Sequence, residues 1–290
     1  FLTALLALLL IKRGAIKRNL KANSQYVGNV GHDRITLTVY AFANSVLLAL
    51  PSVLLFAIGA LLLMEGNEFF SALSKGLATA ALVVFLLPFF HNVARQGGLG
   101  DAHFRWHTDS LRALRRELPF FLAVIIPITV VTPTTATPGG SEFLDSLGRL
   151  LFTAVSIAMS TFAHRIMKVI RTERPQSKRL LAVHVLAVAT PLLLVVASLL
   201  GYHYTALVLE RNLFISICWL AFNTMLFYIG LRVLSVRERR LSLERLREHR
   251  ETQRQLAETR EAAEPSGEGV PQTLDMPEMN LRDISEQSTA

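Results

Sequence analysis

The chain holds one cysteine, Cys218, in 290 residues. It can therefore form no intrachain disulfide, and its place inside an apolar block marks it as a small buried hydrophobe rather than a reactive thiol. No positive charge precedes the first apolar stretch. Residues 1 to 11 are apolar and Lys12-Arg13 follow them, the reverse of a secretory signal. Eleven helical residues rise about 16 Å, short of the ~30 Å hydrocarbon core of a bilayer. They read as the cut end of a spanning helix, and the chain as a piece of a longer protein. The apolar blocks also lack a series of ionisable groups at membrane depth, which a proton or ion relay requires. His164 and His184 lie near block ends without an evident acidic partner. This argues against a pump or coupled transporter and leaves open a transporter with a polar backbone site. Gly66, Gly76 and Gly148 make no phosphate loop, and nothing reads as a nucleotide site or catalytic triad. No cofactor or metal is expected.

What the chain has is apolar residue, 51% of it, in long blocks. The fold class this implies is all-α: a polytopic transmembrane helix bundle of about six full spans plus the truncated first one. The expected spans after residues 1–11 are Ile35 to Leu63, Gly76 to Val93, Leu118 to Thr132, Phe143 to Ala163, Leu180 to Leu200 and Leu213 to Leu231. Pro51, Pro88, Pro127 and Pro191 fall inside them, where a lost backbone bond favours a kink. The fourth and fifth are the shortest in apolar content, and a re-entrant hairpin is an alternative for that pair.

The formal charge of +8 is a topology signal here, since Lys and Arg sit between apolar blocks rather than on a soluble face for nucleic acid. All but Lys75, Arg149 and Arg211 of the 30 Lys and Arg fall in segments 12–34, 95–116, 165–179 and 232–282, which alternate spans place on one side. By the positive-inside rule that side is cytoplasmic. The amino end is then periplasmic and the tail cytoplasmic. The domain reading is a truncated span (1–11), a membrane domain (12–231), a charged cytoplasmic helix (232–264) and a flexible linker with the start of a following segment (265–290). Glu244/Arg247 and Glu251/Arg254 are spaced for one helix face.

The longest polar interruption before residue 230 runs from Gly97 to Glu117. Its Gly98-Leu99-Gly100-Asp101 matches the Gly-x-Gly-Asp signature of intramembrane aspartyl proteases. Those enzymes need two membrane-embedded aspartates, and no second one stands mid-span. His103 and His107 are spaced i, i+4, with His91 near, but no third ligand of fixed geometry is evident, and loop histidines are the simpler reading. From Thr108 to Leu118 the run is amphipathic, with Leu111, Leu114 and Leu118 on one side and Arg112, Arg115 and Arg116 on the other. It is expected to lie along the membrane surface as an interfacial helix, basic toward anionic headgroups. A plain cytoplasmic loop is the alternative.

Gly98-Leu99-Gly100-Asp101-Ala102-His103-Phe104-Arg105-Trp106 resembles a motif of the large MscS-like mechanosensitive channels of Gram-negative bacteria, the MscK/MscM (KefA) type. Arg239-Arg240-Leu241-Ser242-Leu243-Glu244-Arg245 and Leu281-Arg282-Asp283-Ile284-Ser285-Glu286-Gln287-Ser288 resemble the same family in the same order. The resemblance implies an inner-membrane domain that precedes the channel core in a ring of seven identical subunits. The parent would open under membrane tension and pass ions and solutes in hypo-osmotic shock. This chain, ending before a Gly/Ala-rich pore helix, is expected not to conduct alone. His103, Phe104, Arg105, Trp106, Arg112, Arg115 and Arg116 are the motif and interfacial residues expected to matter. Membrane lipids are the expected partners, and no enzymatic activity is expected. A polytopic transporter and the membrane input domain of a signalling protein are the alternatives.

Overall fold

A computed structural model describes residues 1–28, 35–135, 144–173 and 177–263. The described residues are helical throughout, with short turns between elements. In chain order these are α1 (Leu2–Ser24), α2 (Ile35–Leu63), α3 (Glu68–Val93), a π-helical turn (Leu99–His103), α4 (Thr108–Thr135), a second π-helical turn (Leu144–Gly148), α5 (Arg149–Glu173), α6 (Lys178–Leu199) and α7 (His203–Ala263). The chain divides into a unit from Phe1 to Arg237 and a second from Glu238 to Ala290. The second unit's described part is the helical stretch 238–263, which holds the Arg239–Arg245 motif. The third motif, residues 281–288, and the linker at 265–269 lie outside the described residues, as does Phe143 at the head of the fifth expected span.

Among the described residues, five helices are long and apolar enough to cross a membrane: Ile35–Leu63, Glu68–Val93, Ser146–Thr172, Lys178–Leu199 and His203–Thr259. The bundle is polytopic and all-helical, as expected. Helix α2 has the bounds its apolar run predicts, and it continues through Pro51. Helix α3 starts earlier than Gly76 because Asn67 caps it, accepting a hydrogen bond from the Phe70 N–H at 3.1 Å. Helix α1 does not stop at Lys12-Arg13 but runs on to Ser24.

Helix α4 differs most from expectation. The basic run and the fourth span are one helix, Thr108–Thr135, so the run is that helix's first turns and not a separate element lying on a surface. No Gly or Pro interrupts the chain between His107 and Leu118, so nothing breaks the helix there. α4 is charged up to Glu117 and apolar from Leu118 on, and it pairs with α3 and the turn that follows α3. Leu111 sits against Gly100 at one end, Leu118, Phe121 and Ile125 pack with Val83 and Leu87 of α3 in the middle, and Val130 meets Gly76 at the other end. Leu111 to Val130 is about 28 Å of helix, of which the part before Leu118 is charged and the part from Leu118 on is apolar. At Gly76 a Cβ would fall inside the Val130 carbonyl group, so only glycine allows this approach.

Small polar groups join the helices in the first unit. Ser52 donates to the Val84 carbonyl at 3.2 Å, Ser74 to the Ala60 carbonyl at 2.7 Å, and Ser160 to the Val188 carbonyl at 2.9 Å. Core packing is concentrated where α2, α3 and α4 meet. Helices α6 and α7 instead present apolar side chains outward, among them Leu186, Leu193, Leu199, Trp219, Leu220 and Phe227.

Candidate functional site

The turn after α3 is shaped by its glycines. Gly97 has φ of +70°, a conformation costly for any residue with a Cβ, and Ser24 of α1 closes over it. At Gly98 a Cβ would stand 2.8 to 2.9 Å from the carbonyl oxygens of Asn92, Val93 and Arg95. The chain then makes one π-helical turn, with the Phe104 N–H on the Leu99 carbonyl at 2.9 Å, and the Trp106 N–H reaches back to the Gly100 carbonyl at 2.8 Å. Asp101 holds the turn closed by accepting the Gly97 N–H at 2.8 Å. That is a structural use of the carboxylate. Arg105 takes φ of +51°, a left-handed conformation worth roughly 1–2 kcal/mol of strain for a non-glycine residue, and its guanidinium lies at Gly28.

This turn is a packed joint. Leu99 is fully buried, and His103 and Phe104 are buried as well. His103 Nδ1 shares a hydrogen bond of 3.0 Å with Thr38 Oγ1 of α2, so its ring is anchored in the protein. Phe104 stacks on Tyr228 of α7 with ring centroids 5.5 Å apart, and Trp106 meets the same ring edge-on at 5.5 Å. Leu20 of α1, Ala41 of α2, Phe89 and Val93 of α3 and Met225 of α7 complete the cluster. Five helices, α1, α2, α3, α4 and α7, thus converge on one nine-residue motif.

The expected residues separate into two groups. His103, Phe104 and Trp106 are interior parts of the joint, while Arg105 is exposed beside it. Arg112 and Arg116 point outward and are paired: Arg112 Nη1 with Asp109 at 2.7 Å, and Arg116 Nε with Glu117 at 2.8 Å. Arg115 is half-buried and lines a cavity of about 500 Å³ together with Lys21, Ser24, Gly97, Asp101 and Arg112.

Two further polar contacts tie α5 and α6 to the same end. Glu117, one residue before the apolar stretch of α4, is buried and accepts Arg165 Nη1 at 2.8 Å as well as Arg116. Burial alone would raise its pKa, but the hydrogen bonds and charges of Arg165 and Arg116 outweigh it and hold the carboxyl below its ordinary value. Arg171 Nη1 lies 3.3 Å from His184 Nδ1, and an arginine can only donate. His184 Nε2 is then the protonated nitrogen facing His164 Nδ1 at 3.2 Å. The basic ends of α1, α3, α4, α5 and α6, the start of α2 at Thr38 and α7 at Tyr228 therefore lie at one end of the first unit.

The sequence reading missed Glu210. It placed the last span from Leu213, whereas α7 begins at His203, which makes Glu210 a buried acid within a membrane-length helix, bonded to Ser156 Oγ of α5 at 2.6 Å. An acid nine residues after Gly201, where the preceding helix has ended, was the available signal. Among the described residues, no three His, Cys, Asp or Glu side chains converge as a metal site would require.

Comparison with known proteins fits this arrangement of helices. The chain is 26% identical over 282 residues to the miniconductance mechanosensitive channel MscM of Escherichia coli (strain K12), a match that covers 93% of this chain and 25% of that protein. The chain thus spans about a quarter of the length of that curated relative. No solved structure matches it. The family described as mechanosensitive ion channel inner membrane domain 1 matches residues 1–290. The chain belongs to the mechanosensitive ion channel inner membrane domain 1 family, a channel domain and not an enzyme.

Proposed function

We propose that this chain is the tension-sensing paddle of a channel that opens under membrane tension and releases solutes in hypo-osmotic shock. The observation that carries the reading is the joint at Leu99–Trp106, which fastens α1, α2, α3, α4 and α7 together at the basic end. The sides of α6 and α7, meanwhile, remain apolar and exposed. Tension favours whichever state has the larger in-plane area or the better lipid contact, so a sensor needs a lipid-facing side and a stiff connection inward. The exposed helices supply the first and the joint the second.

The basic end is cytoplasmic by the positive-inside rule, which puts the amino end on the periplasmic side and the carboxyl-terminal tail in the cytoplasm. Membrane lipids are the direct partners. The ring of seven subunits in the parent follows from the family resemblance, and the ions and solutes pass through the parent's pore. The test is patch recording of the full-length parent with residues 1–290 removed and the channel core retained. A raised tension threshold supports the role. An unchanged threshold at equal surface expression rejects it.

A further inference from the structure

The cavity beside the joint has a composition that the tension reading does not use. It lies between the last turn of α1, the glycine-rich turn and the first turns of α4, and its volume of about 500 Å³ suits a small polar group. Lys21, Arg112 and Arg115 face one carboxylate in its lining, Asp101, and that carboxylate already accepts the Gly97 N–H. The first turn of α4, at Thr108, adds the positive end of a long helix. Arg115 belongs at once to this lining and to a second group of cations behind it.

That second group is crowded. Burial and then the charges of Arg95 and Arg13 push the Lys17 ammonium below its ordinary pKa, and burial and then Arg13 do the same to Arg95. Nη1 of Arg95 and Nδ1 of His91 are buried and have no hydrogen-bond partner among the described residues. Arg112 is already paired with Asp109 at 2.7 Å, so Lys21, Arg115 and Arg95 carry the argument: like charges held together cost stability until an anion arrives.

Depth selects the kind of anion. Arg115 is three residues before Leu118, where the apolar stretch of α4 begins, so it stands about 5 Å beyond the hydrocarbon edge, at headgroup level. On α1, Lys21 lies about 15 Å beyond the apolar end of residues 1–11 by the same rise, so it closes the cavity from the water side and its long side chain reaches toward the headgroup level. We propose that the cavity lined by Lys21, Arg112 and Arg115, backed by Arg95, binds the phosphate of an anionic phospholipid headgroup. A phosphodiester offers two unprotonated oxygens, which a guanidinium can take in a fork while the ammonium of Lys21 supplies a point charge. This site would place one lipid at the joint itself, and it rests on the reading of the basic end as a membrane face.

The test is native mass spectrometry of the detergent-solubilised chain titrated with phosphatidylglycerol, phosphatidylcholine and inorganic phosphate. Phosphatidylglycerol is expected to bind about tenfold tighter than phosphatidylcholine, and Arg115→Gln with Lys21→Gln to lose about tenfold of that affinity. Arg115→Lys, which keeps the charge but not the fork, is expected to lose about threefold, less than the double variant. Lys178→Gln, an exposed charge on α6, is expected to change nothing. Loss in Lys178→Gln equal to that in the double variant would reduce the effect to diffuse surface charge and overturn the site. Displacement of the lipid by inorganic phosphate would overturn the lipid assignment in favour of a free anion. Channel gating enters none of these readouts, so failure here leaves the tension threshold test intact, and the reverse also holds.

Discussion

Helices α3 and α7 both have the length and apolarity to cross a membrane, and they use them in opposite ways. Helix α3 lies between α2 and α4, with Ala80, Val84 and Val93 fully or almost fully enclosed and Gly76 in backbone contact with α4. On α7 few apolar side chains are enclosed, and Trp219 is 62% exposed and Phe227 63%. Hydropathy cannot separate the two, because lipid and protein interior accept the same side chains. Spacing of small residues does separate them. Helix α3 carries Ser74, Gly76 and Ala80 on its packed face, where backbones approach closely, while α7 between Leu213 and Leu231 carries bulky residues around most of its circumference. The inner helices are built for mutual contact and the outer ones for a surrounding medium.

The sharpest way to break this contrast is Gly76→Val. Its side chain would have to displace the α4 backbone, and a loss of about 3 kcal/mol or more is expected, read as failure to recover monodisperse protein or as a collapsed midpoint in denaturing detergent. Phe104→Ala comes next. It removes the ring that stacks on Tyr228, leaves a cavity in the joint, and should lower stability by about 2–3 kcal/mol in the same assay. A smaller effect, roughly 1–2 kcal/mol, is expected for Glu117→Gln, because Arg165 and Arg116 are themselves half-exposed or more and solvent screens the pair.

The same residue gives a pH dependence. Its folded pKa lies below the ordinary carboxyl value, so its contribution is present above the ordinary range and is lost as pH falls through the depressed folded value. Unfolding midpoints should therefore drop in acid for the wild type and flatten in that window for Glu117→Gln. At the other extreme, Leu220→Ala on the exposed side of α7 should change stability by less than about 0.5 kcal/mol. A large loss there would mean that α7 is buried against protein in the detergent-solubilised chain.

How far the sequence reveals this molecule depends on how local the cause is. The bounds of α2 are legible because polar clusters close its apolar run at both ends. The start of α3 was open to reading as well, since Asn67-Glu68 is a capping pair, but the two phenylalanines after it look like an interface. Helix α4 misleads because its polarity changes at Leu118 while its backbone does not, and change in polarity was taken for change in element. The motif from Gly98 to Trp106 stands out by its glycines, yet its role depends on Thr38 and Tyr228, 65 residues before His103 and more than a hundred after it. No local spacing encodes such contacts. Glu210 was hidden for the same reason, since it meets Ser156 across helices; Arg115 is legible as a basic residue of the run, but not the cavity it lines, which three separate segments enclose.

The account rests on the joint as the stiff connection between the lipid-facing helices and the rest of the protein. Its most direct test is the tension threshold of the full-length parent carrying Phe104→Ala, recorded in membrane patches beside Leu220→Ala at equal surface expression. The joint variant should require clearly higher tension to open, while the exposed-face variant gates as the wild type does. A Phe104→Ala channel that opens at the wild-type tension would contradict the claim.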